Sequence, residues 1–205
     1  TAAPNQPLVK YARGIFELRN QNLKAANEAI LDVLKVAPDY LPAQLASAMI
    51  NLGLGNYEQS LKSAQRVAGQ QPNNALAIRI IAASQLKSGD AKDALATLTP
   101  LLKARPDDAS LLALAGEAHM QNKDFQQALS ALRQAESLAP DNALIKQQQA
   151  ASLLALGQTD AAISELESAA KLNGKVSKAD LALISIQLQR KEFDKALQSI
   201  AALEK

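Results

Sequence analysis

The only histidine, His119, is the first candidate for chemistry, because imidazole is the side chain that most readily exchanges protons near neutral pH. Acid–base catalysis needs a second positioned group beside it, and Ser-His-Asp chemistry needs a nucleophile within reach. His119 instead continues an apolar helical stripe formed by Leu112, Ala115 and Gly116. The sequence therefore predicts a packed, hydrogen-bonded histidine in a protein that is not an enzyme.

The other reactive residue types also point away from catalysis. The chain contains no cysteine, which excludes disulfides, zinc-thiolate sites and a cysteine nucleophile. Asp107 and Asp108 resemble a metal-binding pair, but they recur in weakened form as Pro-Asn-Asn and Pro-Asp-Asn, so helix capping explains them better. The glycines at 53 and 55 belong to a turn and do not form a phosphate-binding loop. We expect no cofactor and no metal.

Composition narrows the class of partner. The net charge is +2, no basic run exceeds two residues, and aromatic residues are 3% of the chain. A nucleic-acid interface would show a clustered basic footprint and stacking aromatic rings, so we expect no nucleic-acid partner. No apolar run reaches the roughly 18 residues needed to cross a bilayer, so no membrane span is expected. Residues 1–6 are predicted to be an unstructured lead-in.

A fixed period organises the chain. Pro38, Pro72, Pro106 and Pro140 lie 34 residues apart, which is typical of a stacked-repeat protein. Each period contains two apolar-periodic segments of helical spacing separated by a turn, and no period-two alternation that would indicate strands. The chain therefore divides into six helix pairs, called repeats 1 to 6, the last of them truncated: 7–40, 41–74, 75–108, 109–142, 143–176 and 177–205.

Small residues and turn residues recur within this period. Positions eight and twenty are almost always Gly, Ala or Ser, which predicts close helix approach within each pair. The turns are expected to use left-handed backbone, and the Asp or Asn after each proline is expected to cap the next helix. Three departures are predicted to matter: Pro100 should kink its helix, Ile184 should loosen the last pair, and Gly174 in place of a fifth proline should loosen one junction.

These residues resemble the tetratricopeptide repeat (TPR) family over residues 7–205. The resemblance implies an all-α, right-handed superhelical solenoid of about six antiparallel helix-turn-helix units in a single domain. It also implies a concave face, lined by the first helices, that binds a protein or peptide. Carried over by repeat position, the candidate ligand-binding residues are Tyr11, Ile15, Leu18, Leu45, Met49, Leu52, Arg79, Leu86, Lys87 and Glu117.

A narrower resemblance concerns two runs, at 111–142 and 179–205, which look like the TPR lipoproteins of bacterial exosortase (PEP-CTERM) systems. That resemblance implies an internal fragment of a larger envelope protein, periplasmic or attached to the outer membrane through a lipid anchor upstream of this sequence. It also implies a role in assembling exopolysaccharide or sorted surface proteins. The compartment is not fixed by the sequence itself.

Several interpretations stay open. The leading hypothesis is a non-enzymatic scaffold for a peptide or protein segment. The alternatives are a chaperone for a glycan or lipid polymer, and self-association through uncapped terminal repeats, where Ile200 and Leu203 lack a following helix. The regular apolar residue at position twelve, Leu86 among others, favours packing between repeats over ligand contact. The residues at positions five and nine do not match the two-carboxylate clamp of chaperone-binding TPRs.

Overall fold

Every regular element in the described part of the chain is an α-helix. The computed structural model describes residues 6–173 and 177–203. Within these ranges lie twelve helices, two for each predicted repeat, and no strand, so the all-α repeat fold is confirmed. In chain order they are α1 (Pro7–Arg19), α2 (Leu23–Val36), α3 (Leu41–Leu54), α4 (Tyr57–Gln70), α5 (Ala75–Ser88), α6 (Ala91–Ala104), α7 (Ala109–Gln121), α8 (Phe125–Leu138), α9 (Ala143–Ala155), α10 (Thr159–Asn173), α11 (Lys178–Gln189) and α12 (Phe193–Leu203).

The helices pack in sequence order within two compact parts. Each odd-numbered helix packs against the helix that follows it, as expected for antiparallel pairs with short connections. One compact part ends at Ala104 and the other begins at Arg105; we call them the N-terminal and C-terminal units. A single solenoid over residues 7–205 remains a prediction. The junction at Gly174 lies outside the described residues.

Small residues allow close packing within each pair, as the sequence predicts. All six residues at position twenty are buried, and Ala26, Ser60 and Ala128 are fully inaccessible. At position eight, a Cβ built on Gly14 would lie 2.6 Å from Ile30 Cδ1, and one built on Gly116 would lie 2.6 Å from Leu132 Cγ. These separations are well inside van der Waals contact, so a larger side chain at either glycine must displace its neighbour.

The turn in every pair passes through one residue in the left-handed region. Three of these residues are glycines, for example Gly89 with φ of 90°. The turns at Lys123 and Lys191 were expected to adopt this conformation and do so, with φ of 64° and 61°. Gln21 has φ of 60° at the same position of repeat 1, a turn that the sequence analysis did not predict. The turn geometry is thus a property of the repeat and not of glycine alone.

Side-chain caps explain the polar residues that follow the prolines, with one correction. The capping residue is the second one after proline: Asn74 accepts from Ala77 N, Asp108 from Ser110 N and Leu111 N, and Asn142 from Leu144 N and Ile145 N. In repeat 1 this place is taken by Tyr40, which has no side-chain cap bond. The prediction that Asp39 caps α3 is therefore wrong. Asp108 therefore acts as a helix cap, the role that the sequence favours for this Asp-Asp pair.

The other departures from the repeat pattern have local effects. Helix α6 is assigned continuously through Pro100, which is exposed, and the Thr99 hydroxyl donates to Leu95 O at 2.7 Å; the kink stays a prediction. In the last pair Ile184 is half-buried, and Ala196 is the only buried residue of α12. The other pairs have a small residue at both position eight and position twenty, whereas this pair has one at position twenty only.

Candidate functional site

An apolar groove lies in the N-terminal unit between α1, α3 and the C-terminal end of α4. Its volume is about 240 Å³, and Tyr11, Ile15, Leu45 and Met49 lie along it. Met49 is 38% exposed, and the other three are half-buried. We call this surface the apolar groove. It brings together four of the residues predicted from repeat position.

The sequence of α3 explains why one helix has two different surfaces. Leu41, Leu45 and Met49 recur every four residues and therefore form one stripe, which lines the apolar groove. Gln44 and Ser47 fall on the opposite side of the helix and are buried at 5% and 4% exposure. Helix α3 consequently separates an apolar surface from a polar one.

Tyr11 is held at one end of the groove by a second ring. The rings of Tyr11 and Tyr40 meet edge to face, with centroids 5.5 Å apart and an interplanar angle of 77°. Such pairs orient aromatic rings beyond what burial alone achieves. Burial raises the pKa of the Tyr11 hydroxyl, and the neighbouring Tyr40 adds to this effect. Tyr11 is therefore a neutral, positioned hydrogen-bonding group at an apolar surface.

Ile15 and the residues at position twelve show how core and groove overlap. Tyr11, Ile15 and Leu18 pack against the buried cluster that contains Ile30 and Ile50. Leu52 packs against a second cluster, and Leu86 is buried at 3% exposure. For Leu86 this fits the packing interpretation and leaves no surface for a ligand. Position twelve is not uniform, however, because the equivalent leucines of repeats 5 and 6, Leu154 and Leu188, are 38% and 47% exposed.

The remaining candidates lie outside the groove. Arg79 is half-buried on α5, and Lys87 is exposed near the end of the same helix. Glu117 is half-buried on α7 in the C-terminal unit. None of these three lines the apolar groove, and neither Leu18 nor Leu52 does.

Three groove residues come from outside the first helices and were not predicted. Val67 lies in α4 and is buried at 1% exposure, while Gln71 and Asn74 lie in the connection between α4 and α5. The concave-face rule considers only first-helix positions, so it gives no signal for these residues. Gln71 and Asn74 form the polar edge of the groove, and the amide of Asn74 donates to Gln71 Oε1 at 2.8 Å.

His119 has the packed environment predicted but not the predicted hydrogen bond. Its Nδ1 is buried without a hydrogen-bond partner and lies 3.6 Å from Asp124 Oδ2, too far for a bond. Among residues 6–173 and 177–203, no three His, Asp or Glu side chains come close enough to hold a metal ion. No described helix is both long and apolar enough to cross a membrane.

Comparison with known proteins decides the family. The sequence pattern of the tetratricopeptide repeat matches residues 11–75, 81–143 and 148–205, most of the chain. The chain belongs to the tetratricopeptide repeat family. Members of this family are generally scaffolds for protein–protein interaction, and the helix pairs described above are TPR units. No curated protein matches the chain closely enough to count as a relative.

Solved structures support the TPR fold. A tetratricopeptide repeat protein from Parabacteroides merdae has a TM-score of 0.82 at 13% identity, over 99% of this chain and 79% of that chain. The Cut9-Hcn1 hetero-tetramer of the APC/C has a TM-score of 0.82 at 18% identity, over 97% of this chain and 39% of that one. MamA from Desulfovibrio magneticus RS-1 has a TM-score of 0.71 at 18% identity, over 84% and 97%. At these identities the similarity establishes the fold alone.

Proposed function

We propose that this TPR protein is a non-enzymatic scaffold that binds an apolar peptide segment of a partner protein in the apolar groove. The groove carries the proposal, because it exposes Met49 and a positioned Tyr11 beside half-buried aliphatic side chains. Helical or extended peptides commonly dock on such surfaces through a few apolar anchors. The groove lining contains no charged residue, so the anchors of the partner should be uncharged.

The polar edge provides hydrogen-bonding groups for the main chain of a docked peptide. Gln71 and Asn74 offer amide groups at one side, and the Tyr11 hydroxyl is in the same groove. These groups can bond the main chain of a docked segment while its side chains enter the apolar floor. Glycan sites commonly expose several aromatic rings, whereas this groove is lined by one, the half-buried Tyr11, which favours a peptide over a glycan or lipid polymer.

The narrower proposal places this scaffold in the bacterial envelope. Its support is the sequence resemblance of residues 111–142 and 179–205 to the TPR lipoproteins of exosortase systems. In that setting the groove would hold a component of exopolysaccharide or surface-protein assembly.

A pull-down with matched variants tests the groove. The Tyr11→Glu, Met49→Glu double variant places two charges in the groove and should reduce partner capture at least about tenfold, since burying a carboxylate beside apolar side chains is strongly unfavourable. The control, Val36→Glu with Leu138→Glu, makes the same change at exposed apolar residues outside the groove and should capture the partner normally. Envelope and cytosolic extracts are used as separate sources, so the partner's compartment is also measured.

A single engineered cysteine makes the assignment direct. The chain has no cysteine, so Met49→Cys provides one site for a thiol-directed crosslinker. A partner crosslinked at Met49→Cys but not at Val36→Cys would support docking in the groove. Equal capture by the charged groove variant and by its control would refute it.

Self-association is a second candidate function, because the two terminal helices expose residues that are buried in the other repeats. Position twenty-four is 0–3% exposed in repeats 1 to 5, yet Ile200 is 40% exposed, and Leu197 beside it is 65% exposed. Position ten is at most 7% exposed in repeats 2 to 6, yet Phe16 is 63% exposed. Within the chain such surfaces cover each other, as where Ile30 packs with Ile50 of the next repeat. We propose that α12 of one copy packs on α1 of another.

Sedimentation equilibrium tests this interface. A head-to-tail contact is heterologous, so the apparent mass should rise continuously with protein concentration and not stop at a dimer. Leu197→Lys with Ile200→Lys should restore the monomer mass at all concentrations, while Val36→Lys with Leu138→Lys should not. A constant monomer mass for the unmodified chain would eliminate self-association without affecting the groove proposal.

A further inference from the structure

A second cavity lies on the other side of α3 from the apolar groove. It has a volume of about 370 Å³ and is bordered by α2, α3 and α4 of the N-terminal unit. Most of the residues that line it have polar side chains, and it shares no residue with the apolar groove. We call it the polar pocket. Nothing in the proposed peptide-docking function uses it.

The floor of the polar pocket is a prearranged set of buried polar side chains from α3. Gln44, Ser47 and Asn51 are 5%, 4% and 6% exposed. The amide of Gln44 donates to Pro38 O at 2.6 Å, and the amide of Asn51 donates to Ser47 O at 2.9 Å. Most buried polar groups in folded proteins are hydrogen-bonded, and these two bonds fix the side chains of the floor in place.

One wall of the pocket has an unsatisfied acceptor. Asn27 Oδ1 on α2 is buried and has no hydrogen-bond partner. Such groups are uncommon in folded proteins, and they are a natural place for a ligand donor. An N–H group entering the pocket would satisfy this oxygen.

Two cations line the pocket on α4. Lys62 and Arg66 are one helical turn apart, and neither forms an ion pair with any residue in the described ranges. Like charges at this spacing repel each other on a helix. An anion between them would relieve the repulsion, and a carboxylate could bond the guanidinium of Arg66 in two places.

The C-terminal unit contains a space that corresponds to the polar pocket by repeat position, and charged side chains fill it. Between α8, α9 and α10, Lys146 forms an ion pair with Glu136, and its Nζ lies 3.8 Å from Glu165 Oε2. The amide of Gln149 donates to Glu136 Oε2 at 2.9 Å. This place between helices therefore holds carboxylates against a cation.

Repeat positions relate the two places directly. The glutamates at 136 and 165 correspond by position to Leu34 and Ser63 in the N-terminal unit, which carry no charge. In the polar pocket the positive charges come from Lys62 and Arg66, whereas in the C-terminal unit the positive charge comes from Lys146. The N-terminal unit thus keeps cations at this place but lacks the internal carboxylates that balance them.

We propose that the polar pocket binds the side-chain carboxylate of an acidic residue in a peptide. Lys62 and Arg66 hold the carboxylate, and Asn27 Oδ1 accepts an N–H from the same residue. An acidic amino acid carries both groups, whereas inorganic phosphate at neutral pH offers no N–H for Asn27. No aromatic ring lines the pocket, so a sugar acid has no stacking surface.

This site is separate from the carboxylate clamp that the sequence lacks. The clamp positions lie on first helices and include Arg79, whereas the charges of the polar pocket lie on a second helix, α4. Arg79→Gln therefore removes one positive charge from the same unit without touching the pocket, and it serves as the matched control.

The test is a titration of the isotope-labelled chain, followed by the shifts of its backbone amide resonances. The probe is N-acetylglutamate, with N-acetylglutamine and inorganic phosphate as comparison compounds. N-acetylglutamate should produce saturable shifts around Asn27, Ser47 and Ser63, with a dissociation constant on the order of 1 mM for a single residue. Lys62→Gln with Arg66→Gln should weaken binding at least about tenfold, since each charge-assisted bond contributes substantially. Arg79→Gln should bind as the unmodified chain does.

Each contrary outcome overturns the proposal. Absence of saturable shifts means that the pocket has no affinity for the residue. Equal shifts with N-acetylglutamine, which keeps the α-carboxylate, mean that the side-chain carboxylate is not recognised, and saturation by phosphate alone means that the ligand is an inorganic anion. Lys62→Arg with Arg66→Lys retains both charges, so it should retain binding. Because Lys62 and Arg66 are exposed, loss of folding in the charge-removing variant is not expected, and circular dichroism checks it.

Discussion

Replacement of Gly116 by leucine is expected to destabilise the C-terminal unit by about 3 kcal/mol, the upper end of the usual cost of overpacking a core. The reason is steric: even a methyl group at this position would lie 2.6 Å from Leu132 Cγ, and Leu132 is fully buried. Because the contact includes the branch point of Leu132 as well as its methyl groups, rotation of the methyl groups alone cannot relieve it. The helices α7 and α8 must move apart or Leu132 must adopt a strained rotamer.

The same substitution at Gly69 is a control, because it should raise the stability and not lower it. Gly69 lies in α4, and a Cβ built there meets nothing within 4 Å. Gly69→Leu should therefore stabilise the helix by roughly 0.5–1 kcal/mol, because leucine has the better helix propensity. Native-state hydrogen exchange measures both effects locally, without assuming that a repeat protein unfolds in one step.

A compensating change tests whether the contact with Leu132 is the cause. Leu132→Ala alone should cost about 2–5 kcal/mol through a cavity. Combined with Gly116→Leu, the two costs should be strongly less than additive, because the new leucine occupies the vacated space. Additive costs, or no loss of protection in α7 and α8 with Gly116→Leu alone, would contradict the close-packing explanation of position eight.

The helical elements were predictable because the repeat applies the same constraints six times. The proline at position thirty-two of repeats 1 to 4 follows the end of a second helix by two residues, as Pro140 follows Leu138. Small residues at positions eight and twenty indicated close pairs, and the buried Gly116 confirms this. The place of Tyr40 was less predictable, since it occupies a capping position and instead packs its ring on Tyr11.

The functional surfaces were only partly predictable, because they depend on which neighbours cover a residue. Position twelve is leucine in both repeat 3 and repeat 5, yet Leu86 is 3% exposed and Leu154 is 38% exposed. A pattern of residue types cannot distinguish these two environments. The polar pocket has no periodic signal at all, since it combines Asn27 from one repeat with Lys62 and Arg66 from the next.

Replacement of Lys146 by methionine is expected to cost about 2 kcal/mol near neutral pH. The estimate lies between the values for exposed ion pairs and for fully buried ones, because the Lys146 side chain is 14% exposed and both of its glutamate partners are 26% exposed. Methionine preserves the aliphatic stem and removes the charge, so Glu136 and Glu165 then face each other with only nearby Arg133 to offset them. The matched control is Lys195→Met, whose cation is 68% exposed beside Glu192 and should contribute less than about 0.5 kcal/mol.

The pH dependence of this loss identifies its cause. Burial disfavours ionisation of Glu136, but hydrogen bonds from Lys146 and Gln149 outweigh it and lower its pKa; this stabilisation is present above the ordinary value of 4.5 and disappears as the pH falls through the lowered pKa. Burial and the charge of Glu136 raise the pKa of Glu165, so folding favours its protonated form at acidic pH.

Without Lys146, both glutamates should have raised pKa values, and the variant should gain stability relative to the unmodified chain as they become protonated. We therefore expect the difference in unfolding free energy to be largest near about pH 7 and to shrink towards about pH 4, measured by urea denaturation at each pH. A difference that stays constant with pH would mean that methionine at position 146 disturbs packing alone, and that the ion-pair network does not stabilise the contact between α8, α9 and α10.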